Sequence, residues 1–144
     1  MPGTRDPVGT GLTPARLAAA GAVVLTVGVG LGLRAVATGS VAKYGGDALY
    51  AVLVLALVVL AVPRVRPVRA AAGALATSWA VEFLQLTPVP AELSRHSTLA
   101  RLVLGSTFNP PDLFWYAVGA AAGWLVHIAA RPLLVSGRRR APGG

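Results

Sequence analysis

The acidic residues are the natural place to look for chemistry in this chain, because there are only five of them in 144 residues. Glu82 lies inside an apolar run, and a carboxyl group within a membrane-spanning helix normally faces a partner or a water-filled cavity. Ser78 and Gln85, four residues before it and three after it, share its helix face. Three interpretations stay open: a polar cup that binds a ligand, an ion pair with an arginine that holds helices together, and a carboxyl group that reaches past lipid to the interface.

Two further acids stand at the starts of apolar runs. Asp47 begins the second run with Tyr50 three residues later, and Asp112 begins the fourth run with Tyr116 four residues later. An aspartate at a helix start accepts backbone N–H groups and complements the positive end of the helix dipole. Asn109 is the predicted N-cap before Asp112, with two prolines in the first turn. Capping alone explains both acids, and the same positions also suit binding of a cation or an ammonium group.

A long polar segment between the third and fourth apolar runs contains a short apolar stretch at 98–104. This stretch is too short to cross a bilayer, so we predict a re-entrant or interfacial helix that lies over the mouth of the bundle. Ser97 or the residue after it caps this helix, and Gly105 ends it. Arg101, in the middle of the helix, reaches inward to Glu82 or to the acid of the fourth run, or else outward to lipid phosphates.

Composition favours a protein that sits in a lipid bilayer. The chain is 55% hydrophobic and 12% charged, with a mean hydropathy of +0.67. Its net charge of +8 comes from a shortage of acids rather than an excess of bases, so we expect no nucleic-acid partner. The absence of cysteine excludes a disulfide scaffold and any thiolate metal site.

The sequence carries no pattern for catalysis or for a cofactor. His96 and His127 fall in segments far apart, so they do not form one metal site. We find no nucleophile–histidine–acid pattern, no phosphate-binding loop and no zinc motif. We therefore predict no catalytic residue, no metal and no cofactor. A membrane enzyme that uses Asp47, Glu82 and Asp112 as acid–base groups is the weaker interpretation.

Four apolar runs predict an all-α fold, an integral membrane bundle of four transmembrane helices. Each run is bounded by proline or by charged residues, and all four are short enough to predict little tilt or a thin bilayer. The runs are 17–33, 45–62, 70–87 and 113–130. The predicted organisation is a disordered cytoplasmic N-terminus (1–14), a membrane domain (15–131) and a basic cytoplasmic tail (132–144).

Positive charge predicts the orientation of the bundle. Nine of the thirteen Lys and Arg residues fall in the N-terminal segment, the second loop and the tail, and such residues concentrate on the cytoplasmic side of a membrane. Both termini are therefore predicted to be cytoplasmic in a bacterial inner membrane, with the four acids after Asp6 on or toward the outer face. The alternative for residues 1–37 is a cleavable signal peptide. We expect an uncleaved helix, because Arg34 lies inside the would-be cleavage region.

Two Gly-x-x-x-Gly pairs, Gly28/Gly32 and Gly119/Gly123, predict close helix packing. Asp112, the second pair and Tyr116 share one face of the fourth helix, so that face is predicted to be buried. Membrane lipids are the expected partners. A second copy of the chain or another membrane protein is left open as a further partner.

An ordered pattern connects these positions: Gly46-Asp47-x-Leu49-Tyr50, Glu82-Phe83-Leu84-Gln85-Leu86, Arg95-x-x-Thr98-x-x-Arg101-Leu102-Val103-Leu104-Gly105-Ser106-x-Phe108, and Asp112-Leu113-x-x-Tyr116-x-x-Gly119-x-x-x-Gly123. Over about residues 17–130 the chain resembles a bacterial family of small four-helix membrane proteins known only as a domain of unknown function. This resemblance implies the fold and the membrane location.

A looser similarity is to VanZ and its relatives, which are associated with low-level teicoplanin resistance. Tyr116 stands here where those proteins usually carry Asn. The resemblance implies a role in envelope and antibiotic tolerance. The positions that carry it are Glu82, Gln85, Arg101, Asp112, Gly119 and Gly123.

Taken together, the residues predict a small multi-pass membrane protein with an outward-facing polar cup that has Glu82 at its floor and Asp47 at its rim. The cup is predicted to bind an envelope lipid headgroup or a cell-wall component. The alternatives are a proton- or cation-coupled small transporter and a structural or assembly subunit of a membrane complex. The predicted cup residues are Asp47, Tyr50, Ser78, Glu82, Gln85, Arg101, Asp112 and Tyr116.

Overall fold

The structure, a computed structural model, describes residues 13–136, and these residues fold into helices and connecting turns without a β-strand. The predicted all-α class is confirmed. Residues 1–12 and 137–144, which hold most of the predicted N-terminus and tail, lie outside the described part. The helices are α1 (Pro14–Val36), α2 (Gly39–Ala61), α3 (Pro67–Leu84), α4 (Val89–His96), α5 (Thr98–Leu104) and α6 (Pro110–Ser136).

Three of these helices, α1, α2 and α6, are long and apolar enough to cross a membrane, and on this ground the chain is a membrane protein. The second predicted run, 45–62, corresponds to α2, which begins earlier, at Gly39, so Asp47 lies inside this helix and not at its start as predicted. The third predicted run, 70–87, corresponds to α3, which ends earlier, at Leu84. α3 is less apolar than the other three, because Arg69 and Glu82 interrupt a helix of only 18 residues. A bundle of four crossings therefore remains a proposal.

Local sequence explains the first two helices. Thr13 caps α1, since its hydroxyl accepts the backbone N–H of Arg16 at 3.2 Å, and Pro14 suits the first position because its fixed φ is already helical. Only two residues separate α1 from α2, so the helices run antiparallel. Gly45 lies against Leu33, where an ideal Cβ on the glycine would come within 2.6 Å of the leucine Cδ2.

The core lies where α2 meets its neighbours. α2 packs against α1, α3 and α6, and α3 also packs against α6. Much of the contact is made by small side chains, since Ala51, Ala70 and Ala74 are fully buried. Small residues let membrane helices approach closely, which strengthens van der Waals packing where no hydrophobic effect operates between helices.

The two glycine pairs have different surroundings. Gly119 and Gly123 of α6 face α2, where an ideal Cβ on Gly119 would overlap the backbone of Ala48. The face of α6 that carries Tyr116 and Gly119 is buried. Gly28 and Gly32 of α1 have nothing within 4 Å of an ideal Cβ.

The predicted short helix is present as α5, with Ser97 accepting the backbone N–H of Ala100 at 3.1 Å and Gly105 ending it at φ +64°. Its position relative to a bilayer stays a prediction. α4, which packs against α5, was not predicted. Half of its eight residues are polar, and the helix starts at a Pro-Val-Pro segment that is typical of a loop.

α6 continues to Ser136, past the predicted start of the tail at 132. Pro132 lies inside the helix, where a proline removes one backbone hydrogen bond and crowds the preceding turn. The Ser136 hydroxyl donates to the Pro132 carbonyl at 2.7 Å in the last turn. The helix therefore ends later than its charge boundary at Arg131 suggests.

Candidate polar site at the start of α6

Glu82 is fully buried at the end of α3. Its Oε1 accepts the backbone N–H of Asn109 at 2.6 Å, and its Oε2 accepts the hydroxyl of Tyr116 at 3.4 Å. A buried carboxyl group is tolerated only with hydrogen-bond partners, because it has left water. Both of these partners belong to the start of α6, so Glu82 holds that start against α3.

Asp112 is the second buried acid, 4% exposed. Its carboxylate accepts the Lys43 ammonium at 2.6 Å and, on the other oxygen, the side-chain amide of Asn109. Lys43 also lies 3.8 Å from Asp47, one helical turn along α2. The cluster formed by Lys43, Asp47, Asn109, Asp112 and Glu82, here called the polar cluster, thus joins α2, α3 and α6.

Arg101 does not take part in the polar cluster. Its guanidinium donates to the Ser94 carbonyl at 3.1 Å and bonds to neither Glu82 nor Asp112, so of the two alternatives the inward contact with an acid is not made. Arg101 instead ties α5 to α4 through this hydrogen bond. The cation that meets Asp112 is Lys43, and the signal that could have found it is its spacing of four residues from Asp47.

Ser78 and Gln85, predicted to share a helix face with Glu82, make separate contacts. The Ser78 hydroxyl is fully buried and donates to the Ala74 carbonyl of its own helix at 2.9 Å. The Gln85 amide donates to the Leu104 carbonyl at 2.7 Å, which ties the end of α3 to α5. Gln85 Oε1 is buried without a hydrogen-bond partner.

A cavity of about 740 Å³ lies beside the polar cluster, between α1, α2, α5 and the start of α6. Its walls include apolar side chains such as Val27, Leu31, Leu53, Leu99 and Leu102. Six of the predicted cup residues line it, whereas Ser78 and Glu82 do not. The six are Asp47, Tyr50, Gln85, Arg101, Asp112 and Tyr116.

Glu82 is therefore not the floor of the cavity, contrary to the prediction. It is 0% exposed, and it reaches the cavity wall through the Tyr116 hydroxyl. Tyr116 lies beside Tyr50, with ring centroids 5.8 Å apart, and these rings stand between the buried glutamate and part of the open space. Sequence spacing could not show this screening, because it depends on how α6 is rotated against α3.

The charged side chains on the cavity wall are not all paired with one another. Lys43 is shared by Asp47 and Asp112, and Asp47 Oδ2 is buried without a hydrogen-bond partner. Arg34 and Arg101 add two further cations from α1 and α5. Among residues 13–136, no group of three or more His, Asp or Glu side chains is placed to hold a metal ion. The arrangement can hold a polar group with an oxygen that accepts hydrogen bonds from the cations and an N–H or O–H that donates to Asp47.

Comparison with known proteins gives one result for the chain. No curated protein and no solved structure matches it, and the similarity to VanZ stays a prediction. One family model, described as "Protein of unknown function (DUF2809)", matches residues 36–120, which contain the whole polar cluster. That match covers more than half of the 144 residues, and the chain therefore belongs to this family of unknown function.

Proposed function

We propose that the protein is a multi-pass membrane protein whose cavity binds an amphipathic molecule of the cell envelope, a lipid or a lipid-linked cell-wall component. The observation that carries this proposal is the cavity of about 740 Å³. Ligand-binding cavities are largely apolar, with a few placed polar groups that orient the ligand. This one joins ionic groups at the start of α6 to leucine and valine side chains of α1, α2 and α5.

The proposal requires the polar end to lie at the outer face. Four crossings, by α1, α2, α3 and α6, would leave both termini on one side, and the 18 residues of α3 extend about 27 Å as a helix. The excess of Lys and Arg in the tail, the N-terminal segment and the second loop supports a cytoplasmic location for both termini in a bacterial inner membrane.

The orientation is testable because the chain has no cysteine. Thr107 and Val62 are both exposed and lie at opposite ends of the helices. A membrane-impermeant maleimide should label Thr107→Cys on intact cells and Val62→Cys only after permeabilisation. The reverse pattern would overturn the orientation, and labelling of both on intact cells would overturn α3 as a crossing.

Ligand binding is tested by filling the cavity. Gly30 lines the cavity and has nothing within 4 Å of an ideal Cβ, so Gly30→Phe places a ring in the open space. Gly28→Phe is the matched control, because Gly28 is on the same helix, is equally uncrowded and does not line the cavity. Native mass spectrometry of protein extracted from bacterial membranes should find an amphiphile retained by the wild type and by Gly28→Phe but lost from Gly30→Phe. No retained amphiphile on any of the three would contradict the proposal.

A role in envelope or antibiotic tolerance, as the VanZ resemblance implies, follows as a physiological proposal. A strain without the gene should show changed glycopeptide sensitivity, restored by the wild type and by Gly28→Phe and not by Gly30→Phe. Restoration by all three would separate that role from the cavity.

A second candidate function is a proton or cation relay. It is favoured by the buried Glu82, which is connected through Asn109 to Asp112 and onward to Lys43 and Asp47. Intramembrane acids often carry protons. Proton flux into liposomes that is present for the wild type and absent for Glu82→Gln would favour this candidate over amphiphile binding, and equal flux for both would remove it.

A further inference from the structure

Two arginines on the cavity wall have no acidic partner, which distinguishes them from the third cation. Lys43 is held by Asp112 at 2.6 Å and lies 3.8 Å from Asp47. Within the described residues, neither Arg34 nor Arg101 has a carboxylate within 4 Å. Three cations and two carboxylates line the cavity, so its wall carries one positive charge in excess.

These two arginines approach the cavity from different elements. Arg34 is in the last turn of α1, and Arg101 is in the middle of α5. The contact between Leu33 and Gly45 places the end of α1 beside the turn of α2 that carries Lys43 and Asp47. Arg34 is thus at the charged end of the cavity rather than at its apolar end.

Arg101 is oriented before any ligand arrives. One of its terminal nitrogens donates to the Ser94 carbonyl at 3.1 Å, and a guanidinium has five N–H donors in a planar fork. The remaining donors are available to a ligand at lower entropic cost, since the side chain is already held. Ser106 and Thr107, which also line the cavity, add hydroxyl groups near the end of α5.

Phosphate oxygens are the group that this arrangement fits. Arginine binds phosphate through two parallel charge-assisted hydrogen bonds, and an anion on the ligand would offset the charge surplus. Lys43 and Asp47 line the same end of the cavity and would lie beside this headgroup. The apolar walls formed by Val27, Leu31 and Leu53 continue from this end and suit the chains attached to such a headgroup.

We infer that the cavity recognises its amphiphile by a phosphate group, bound between Arg34 of α1 and Arg101 of α5. This inference rests on the proposed function, because it names the headgroup chemistry of the molecule that the cavity binds. Both a phospholipid headgroup and a phosphate-linked cell-wall precursor carry this group, and free phosphate shares its chemistry.

The test compares ligands that differ only in the phosphate headgroup. Full-length protein in a neutral detergent is titrated with dioleoylphosphatidylglycerol or dioleoylglycerol, and bound lipid is counted by native mass spectrometry. We expect retention of the phosphate lipid at least about tenfold above that of dioleoylglycerol, as two charge-assisted hydrogen bonds would provide. The double variant Arg34→Gln/Arg101→Gln should lose this preference.

Arg95→Gln is the matched control for charge. Arg95 lies in α4, is exposed, pairs with Glu92 at 3.3 Å and does not line the cavity. This variant should keep the preference, and circular dichroism checks that all variants are folded. An equal loss in Arg95→Gln would show a general attraction of lipid phosphates to surface cations and would overturn the site.

The remaining outcomes separate the inference from the proposed function. Equal retention of both lipids, abolished by Gly30→Phe, would refute phosphate recognition and leave amphiphile binding intact. No retention of either lipid would refute both. Competition by inorganic phosphate alone or by a polyprenyl phosphate identifies the source of the phosphate, and either supports the inferred chemistry.

Discussion

Helices α6 and α1 carry the same sequence motif in different surroundings. Both are long and apolar, and both contain a Gly-x-x-x-Gly pair. The start of α6 is held by Glu82 and Lys43, and its glycine face is pressed against α2. α1 packs on α2, but its glycine pair faces open space and most of its length is exposed.

The comparison shows that a glycine pair permits a close approach without requiring one. A polar group buried in the membrane needs a hydrogen-bond partner because it has left water. A glycine face has no such need and can pack against lipid as well as against another helix. The α6 pair is in contact because the polar cluster draws the start of that helix toward α2 and α3. The α1 pair lacks such a neighbour, and α1 instead forms a wall of the cavity.

The largest loss of folding free energy is expected from a substitution at Gly119. An ideal Cβ there would come within 2.8 Å of the Ala48 Cα and closer still to its carbonyl, and neither atom can move aside as a side chain could. Gly119→Leu should cost about 3 kcal/mol or more of folding free energy. Thermal unfolding and size-exclusion profiles in detergent measure it. Gly32→Leu is the control, and its folding free energy should lie within about 0.5 kcal/mol of the wild type. Equal destabilisation by the two substitutions would show that the two glycine pairs are equally packed.

The next largest loss of stability is expected at Glu82. Glu82→Leu leaves the Asn109 N–H and the Tyr116 hydroxyl without their acceptor, which should cost about 2 kcal/mol of stability. Glu82→Gln keeps the shape and one carbonyl acceptor, so its loss should be smaller. Thermal unfolding in detergent ranks the two variants. A Glu82→Leu protein as stable as the wild type would mean that this contact does not hold α6.

A smaller effect is expected at the pair Lys43–Asp112. The lysine side chain is 45% exposed, so solvent screening limits the pair to about 1 kcal/mol. A double-mutant cycle with Lys43→Met and Asp112→Asn measures their coupling. The exposed pair Arg95–Glu92 is the reference, and its coupling should be close to zero. Equal coupling in the two cycles would show that burial of Asp112 adds nothing.

The smallest effect concerns the open face of α1. Gly28→Ala should be neutral or slightly stabilising, by up to about 1 kcal/mol, because alanine favours a helix and the added Cβ meets nothing. If a second copy of the chain instead covers this face, Gly28→Leu should reduce crosslinked dimers in membranes. Unchanged crosslinking would indicate that lipid, rather than a second copy of the chain, covers this face.

Much of the helical structure could be predicted from residue type alone. Apolar runs bounded by proline and charge mark α1, α6 and the end of α2, and the serine and glycine around α5 define its limits. α4 was missed because Pro88, Val89 and Pro90 are typical of a loop. α6 was predicted too short because Pro132 and Arg131 are typical helix-end residues, although a proline removes only one backbone hydrogen bond and the helix continues past it.

The candidate site could be predicted only in part. The acids were expected near one end of the helices, and Asp47, Asp112 and the two tyrosines do line one cavity. Arg101 was one candidate partner for Glu82 or Asp112, and the cation that contacts Asp112 is Lys43. Arginine and lysine reach similar distances, and sequence order cannot show which of them faces a given carboxylate.

The sequence by itself determined the class of the protein and its few candidate acids: long apolar runs that suit a lipid bilayer, and Glu82 and Asp112 within a turn of a helix end. These are local properties, set by hydropathy and by backbone hydrogen bonding at helix termini. The tertiary structure decided which acid is sealed from the cavity and which lines it, because that depends on the rotation of α6 against α2 and α3. Glu82 is enclosed by Asn109 and Tyr116 for this reason, while Asp47 keeps one oxygen without a hydrogen-bond partner.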